Sequence, residues 1–349
     1  MSIYSRRRKK LLELAQGKQV VATTGPNMFY LTGFFGAGIA VVQPDKTLVM
    51  TSPLEADRAR EICRDAEVVV LKKWKEAGKA TAKALPSGQV IVDSSEMRFG
   101  SRRFKADPEM FLEARRTKDE FEIEKVSAAC ERTNKLFEAL PGILRSGRTE
   151  WQAAAEVMKL ATEQELVPSN STSSLGPVII ASGPHGAYGH SELTGRRMRN
   201  GDFVVADLYF RFEGYNSDET RTFAIGSPGA DMKRHYLAVK EANEAALGKA
   251  TNGAKCGDVN EAAVDVLARH KMEHLLNHGI GHGVGLDIHE LPRVAKGNQV
   301  RLQNRDVITD EPGVYLVGKY GVRIEDTLVV RGRDPVVLTR FTKDLVTCG

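Results

Sequence analysis

Between residues 117 and 349 the chain runs through the same order of segments twice. The stretch RRTKDEFEIEKVSAACERTNKLFEAL (115–140) carries apolar residues at helical spacing with charges between them. SGRTEWQAAAEVMKLA (146–161) follows as a second helix, opened by a glycine turn and a threonine cap. KRHYLAVKEANEAALGKA (233–250) and NGAKCGDVNEAAVDVLARH (252–270) echo that pair. Each helix pair also has a companion of two strands around a Gly-containing turn, GDFVVADLYFRFEGYNSDETRTFAI (201–225) and NRDVITDEPGVYLVGKYGVRIEDTLVV (304–330). The likeness is loose, but the order recurs, and an internal duplication explains it most simply.

Residues 1–116 have a different texture. Short β-rich runs (QVVATT, NMFYLTGFF, GIAVVQPDKTLVMT, AEVVVLK and QVIVDSS) alternate with helical segments such as SPLEADRAREICRDA, as in a small mixed α/β domain. Nothing in this half resembles a nucleophile or a metal cluster. At 349 residues the chain exceeds one ordinary core, so two domains are expected, with the boundary near Thr117.

Charge and composition exclude several roles. A net charge of +5 is modest for this length, and no basic or aromatic stripe marks a nucleic-acid binder. The basic cluster Arg6 to Lys10 reads as the solvated first turn of a helix. No apolar run is long enough to cross a bilayer, and the opening MSIYSRRRKKLLELAQGKQVV lacks a signal-peptide core. Cysteines 63, 130, 256 and 348 have no paired spacing, which fits mostly buried thiols in a reducing, cytoplasmic setting.

The chemistry concentrates in the two strand pairs. Asp207 interrupts the apolar run FVVAD, and Asp218 lies eleven residues on; Glu311 follows VITD, and Glu325 lies fourteen residues on. Antiparallel pairing would set such positions side by side. Taken singly, Asp218 also reads as a turn residue and Glu325 as an edge charge paired with Arg323. Taken together, four acids on the inner faces of apolar hairpins repel one another, and a pair of divalent cations would neutralise them. Oxygen ligands with a single nitrogen suit manganese, cobalt, iron or zinc. Two such ions sharing a water are hydrolytic machinery.

A nitrogen source lies in HLLNHGIGHGVGLDIHELPR (274–293). His274, His278 and His282 are four apart, the spacing of one helical face, yet glycines at 279, 281, 283 and 285 make a poor helix. An extended segment is expected instead, with glycines that let backbone pack closely beside the site.

These residues resemble the pita-bread metallopeptidases, the family that includes prolidase and aminopeptidase P. VVADLYFRFEGYNSDETRTF, HGIGHGVGLDIHELPR, DEPGVY and GVRIEDT occur in family order, and NMFYLTGFF looks like the N-terminal domain of the prolidase and creatinase branch. The resemblance implies an α+β protein: a small creatinase-like N-terminal α/β domain over 1–116, then a pseudo-twofold pita-bread catalytic domain over 117–349. It implies two divalent metal ions, manganese foremost, with Asp207 on one, His282 and Glu311 completing the other, and Asp218 and Glu325 bridging both. Glu311 would also act as general base. His190 and His289 would face the substrate and the developing oxyanion or leaving nitrogen. Arg293 would reach a substrate carboxylate, and His278 would stand near the substrate without binding metal. His185, close to His190, is set aside because His190 has the family's distance to the following GD strand. A homodimer is implied as well.

The implied reaction is hydrolysis of the bond preceding proline, in Xaa-Pro dipeptides or, alternatively, in longer peptides as an aminopeptidase P. A methionine aminopeptidase would lack the N-terminal domain, and a non-catalytic pita-bread module would have lost ligands. Two departures stand out: Tyr209 where the family often has glycine, and Asp310 where an apolar residue usually precedes the glutamate. By strand alternation Asp310 should face away from the metals.

Overall fold

The computed structural model describes residues 2–86, 88–94, 98–99, 102–169 and 176–349, and divides into two compact units, Met1–Arg115 and Arg116–Gly349. Among the described residues no helix is long and apolar enough to cross a membrane.

The first unit is built on one mixed sheet, in the order Ala66–Val70, Thr47–Thr51, Ile39–Val42, Gln19–Ala22, Val90–Val92, Lys105–Ala106. The strand expected from QVIVDSS is described as Val90–Val92, and Ser95 lies outside the described residues. Two expectations need correction. The NMFYLT stretch is a helix, Gly25–Thr32, although Phe, Tyr and Thr favour strands. Pro26 near its start and Gly33, left-handed at its end, supply the helix boundaries that outweigh that preference. The basic cluster is solvated only in part: Arg6 and Lys9 are exposed, but Arg7 and Arg8 are buried. Arg7 is 3% exposed, stacked over the Tyr30 ring with a donor on the Tyr30 carbonyl, and Arg8 donates to the carbonyls of Asp45 and Asp65. Planar guanidinium groups bury their stems here while their donors find backbone oxygens.

In the second unit the doubled order is visible as doubled structure. Helices Glu120–Ile143 and Glu150–Glu163 each open on a reciprocal capping box, Asp119 with Glu122 and Thr149 with Gln152. Helices Ala230–Lys249 and Cys256–Arg269 follow in the second half, packed through small residues such as Ala238, Ala242, Ala246 and Ala263. One sheet runs Val178–Ser182, Phe203–Leu208, Glu219–Ile225, Thr347–Cys348; the other runs Glu290–Val294, Gly281–Gly283, Val307–Asp310, Asp326–Val329, Val336–Val337. A bridge between Thr220 and Glu325, with the Glu325 N–H on the Thr220 carbonyl at 3.0 Å, joins one sheet to the other.

Each strand pair carries a separate hairpin tip, Phe210–Phe212 with Tyr215–Asn216 and Gly313–Leu316 with Tyr320–Arg323. The register therefore differs from a simple hairpin. Asp207 stands opposite Thr220 rather than Asp218, and Asp310 stands opposite Asp326, with Glu311 and Glu325 one step beyond that pair.

Candidate active site

The glycine-histidine run is extended where it matters, as strand Gly281–Gly283. A Cβ on Gly281 would lie 2.2 Å from the Thr309 carbonyl oxygen, and one on Gly283 would lie 2.1 Å from that of Leu291. Only glycine lets this strand lie between its two neighbours, and that fit sets the place of His282.

The His282 ring is oriented by its own backbone. Nδ1 lies 3.0 Å from the Gly283 carbonyl, which can only accept, so Nδ1 carries the hydrogen and Nε2 presents a lone pair. That lone pair points at acids: Nε2 is 3.5 Å from Glu311 Oε1 and 3.7 Å from Asp218 Oδ2. Burial, followed by His289, holds the His282 pKa down to about 3, so the ring is neutral. Donor atoms of Asp218, His282 and Glu325 all lie within 4.8 Å of one another. Thr220 Oγ1 donates to Glu325 Oε2 at 2.6 Å and orients that carboxylate.

The acids repel. Burial first, then Glu325, Asp207 and Glu311, push Asp218 well above the carboxylate range; burial, then Glu311 and Asp207, do the same to Glu325. Glu311 is pushed up to about 7, chiefly by burial. Asp207 has one oxygen on Arg323 Nη2 at 2.6 Å, while its other oxygen, Oδ1, is buried and has no hydrogen-bond partner among the described residues. Crowded carboxylates, an orphaned oxygen and an aimed imidazole lone pair fit divalent cations. Chelation should therefore destabilise the protein, and manganese at a hundredfold excess over its Kd should restore about 2.7 kcal/mol. Thermal melts with metal analysis check this; an unchanged midpoint at full loading would refute it.

Arg323 was expected, if anything, to pair with Glu325 along its own strand. The structure sends it across to Asp207, and it also donates to Tyr315 Oη (3.1 Å), the Gly189 carbonyl (3.1 Å) and Thr220 Oγ1 (3.2 Å). Tyr315 in turn donates to His278 Nε2 at 2.8 Å, while His278 Nδ1 lies 2.7 Å from the Gly279 carbonyl. Both ring nitrogens of His278 are thus engaged, one by its own backbone and one by Tyr315.

His190, His289 and Arg293 are exposed around this cluster. The His289 ring meets that of His282 edge-on at 4.2 Å, and Arg293 stands opposite His282 in its strand pair. His185 is tied to the buried Glu150 carboxylate at 3.0 Å. Glu150 also accepts from Ser182 and Thr194, which fastens both ends of the segment carrying His190. His270 pairs with Glu241, His235 with Tyr320, and His274 is exposed. The loop before His289 is held by the buried pair Lys118–Glu290 at 2.8 Å, with Glu290 also accepting the Asp287 N–H.

Asp310 lies on a different set of partners. It is 1% exposed, neither oxygen has a hydrogen-bond partner among the described residues, and burial pushes its pKa well up. Its cross-strand neighbour Asp326 binds Arg221 at 2.8 Å and Lys343 at 2.5 Å.

Comparison with known proteins adds to this geometry. Residues 124–332 match metallopeptidase family M24, and residues 6–105 match the creatinase/prolidase N-terminal domain. The chain is 30% identical to the Xaa-Pro dipeptidase of Pyrococcus horikoshii over 362 aligned residues, covering 99% of this chain and 100% of that one. The crystal structure of the prolidase from Pyrococcus horikoshii OT3 superposes with a TM-score of 0.88 at 29% identity, over 98% and 100% of the two chains. The X-Pro aminopeptidase from Thermotoga maritima gives 0.87 at 26% identity, over 97% and 99%. These matches correspond to the pita-bread fold with a creatinase-type N-terminal domain.

Proposed function

This chain belongs to metallopeptidase family M24, and we propose that Asp207, Asp218, His282, Glu311 and Glu325 hold two divalent metal ions with which it hydrolyses Xaa-Pro dipeptides. The observation that carries this reading is the convergence of repelling acids on one neutral, pre-oriented imidazole, in a chain that matches an Xaa-Pro dipeptidase from end to end. Manganese suits the oxygen-rich donor set, with cobalt, zinc and iron as the other cations of matching preference.

Bound there, the cations would polarise the scissile carbonyl and acidify the attacking water. The Glu311 side chain is 19% exposed, against 10% for Asp207 and 7% for Asp218. That opening suits it to accept the water's proton. His190 and His289 offer imidazole donors to the developing oxyanion and the leaving nitrogen. Arg293 offers a fork for the proline carboxylate. The bond preceding proline has no amide hydrogen, so gripping the substrate by its ends replaces backbone pairing.

Hydrolysis of Ala-Pro and Ala-Pro-Gly, each with manganese, cobalt or zinc, tests the reading. Ala-Pro should be cleaved with the higher kcat/KM. Cleavage of the tripeptide alone would transfer the chain to the aminopeptidase P activity, and cleavage of neither would end the reading. The four free cysteines agree with a cytoplasmic enzyme, and sedimentation of the loaded enzyme tests whether it is the homodimer that its family resemblance implies.

A further inference from the structure

Tyr209 stands two residues beyond Asp207 and is 8% exposed. Its N–H donates to the Pro177 carbonyl at 3.1 Å and its hydroxyl to the Gly176 carbonyl at 2.5 Å, which fixes the residue at its backbone and at its tip. The ring packs with Ile179, Ala181 and Ile288, in an apolar cluster distinct from the two cores of this unit. Two facts put that cluster beside the site. Ile179 is the direct cross-strand partner of Asp207, and directly opposed residues share a face of the sheet. Ile288 immediately precedes His289. An aromatic ring and two isoleucines have no part in holding cations. They make the kind of wall that receives an apolar side chain.

We propose that Tyr209, with Ile179 and Ile288, walls the subsite for the residue preceding proline and limits that residue to small side chains; this rests on the dipeptidase reading above. In this assignment the substrate carboxylate lies on Arg293, opposite His282 in its strand pair, and the residue preceding proline lies on the Tyr209 wall, whose Ile179 is the cross-strand partner of Asp207. A ring held at both ends does not swing aside, and the volume it fills is withheld from the substrate. Glycine, which the family often has at this position, would leave that volume open.

The test is the ratio of kcat/KM for Phe-Pro to that for Ala-Pro, measured on the manganese-loaded enzyme. Tyr209→Ala should raise this ratio about tenfold or more, since pockets discriminate side chains by the volume they offer. Tyr209→Phe keeps the ring and should keep the wild-type ratio. Ile288→Ala opens the same wall from its other side and should shift the ratio in the same direction, which keeps the test decisive if Tyr209→Ala does not fold. A ratio unchanged within about twofold in a variant that still cleaves Ala-Pro would overturn the assignment of Tyr209 alone. Wild-type enzyme that cleaves neither dipeptide would overturn it together with the reading on which it rests.

Discussion

Glu311→Gln should lower kcat for Ala-Pro by about 10²–10⁴-fold, the range that a positioned proton acceptor contributes. Glutamine keeps the volume and one oxygen but cannot take a proton from water at neutral pH. The backbone anchor of this position, the Glu311 N–H on the Ile280 carbonyl at 2.7 Å, does not depend on the side chain. The metal-free variant should be at least as stable as wild type, because one member of a repelling acid cluster has been removed. Activity at saturating manganese, with bound metal measured alongside, separates a lost base from a lost ligand. Near-normal turnover would remove Glu311 from the chemistry.

How much of this could be read from the sequence varied with the range of the interaction. Asp207 announced itself because a lone acid in an apolar strand needs a reason. The glycines around His282 announced close backbone approach, and the Thr309 and Leu291 carbonyls supply it. Order along the chain also showed the duplication, since helix caps and strand pairs are local signals. The partners of cations did not show. Arg7 finds Tyr30, and Arg323 finds Asp207, 116 positions away in sequence; period-two alternation gives the face of Arg323 but not what that face meets. The helix Gly25–Thr32 was hidden by strand-favouring side chains, although Pro26 and Gly33 marked its ends. The register of Asp207 on Thr220 was set by the hairpin tip Phe210–Phe212/Tyr215–Asn216, which spacing alone did not separate from the longer strands.

Arg323→Met should destabilise the metal-free protein by about 3–5 kcal/mol, the cost of leaving one member of a buried ion pair behind. Arg323 is 3% exposed, and its neighbours raise its pKa well above the usual value despite burial, with Tyr315 and Asp207 foremost. Without it, the Asp207 carboxylate loses its ion-pair partner in a site already crowded with Asp218, Glu311 and Glu325. Bound manganese would offset part of that loss, so the deficit in urea unfolding should shrink when metal is added. Turnover should fall even at full metal loading, because the Gly189 carbonyl beside His190 also loses its donor. Arg323→Lys separates the two effects: an ammonium can answer Asp207 but cannot fork to Tyr315, Gly189 and Thr220 at once. Lysine should therefore recover most of the stability and little of the activity. Equal recovery of both would reduce Arg323 to a counter-charge, and a metal-free methionine variant that loses less than about 1 kcal/mol would show that the pair behaves as a solvent-screened one.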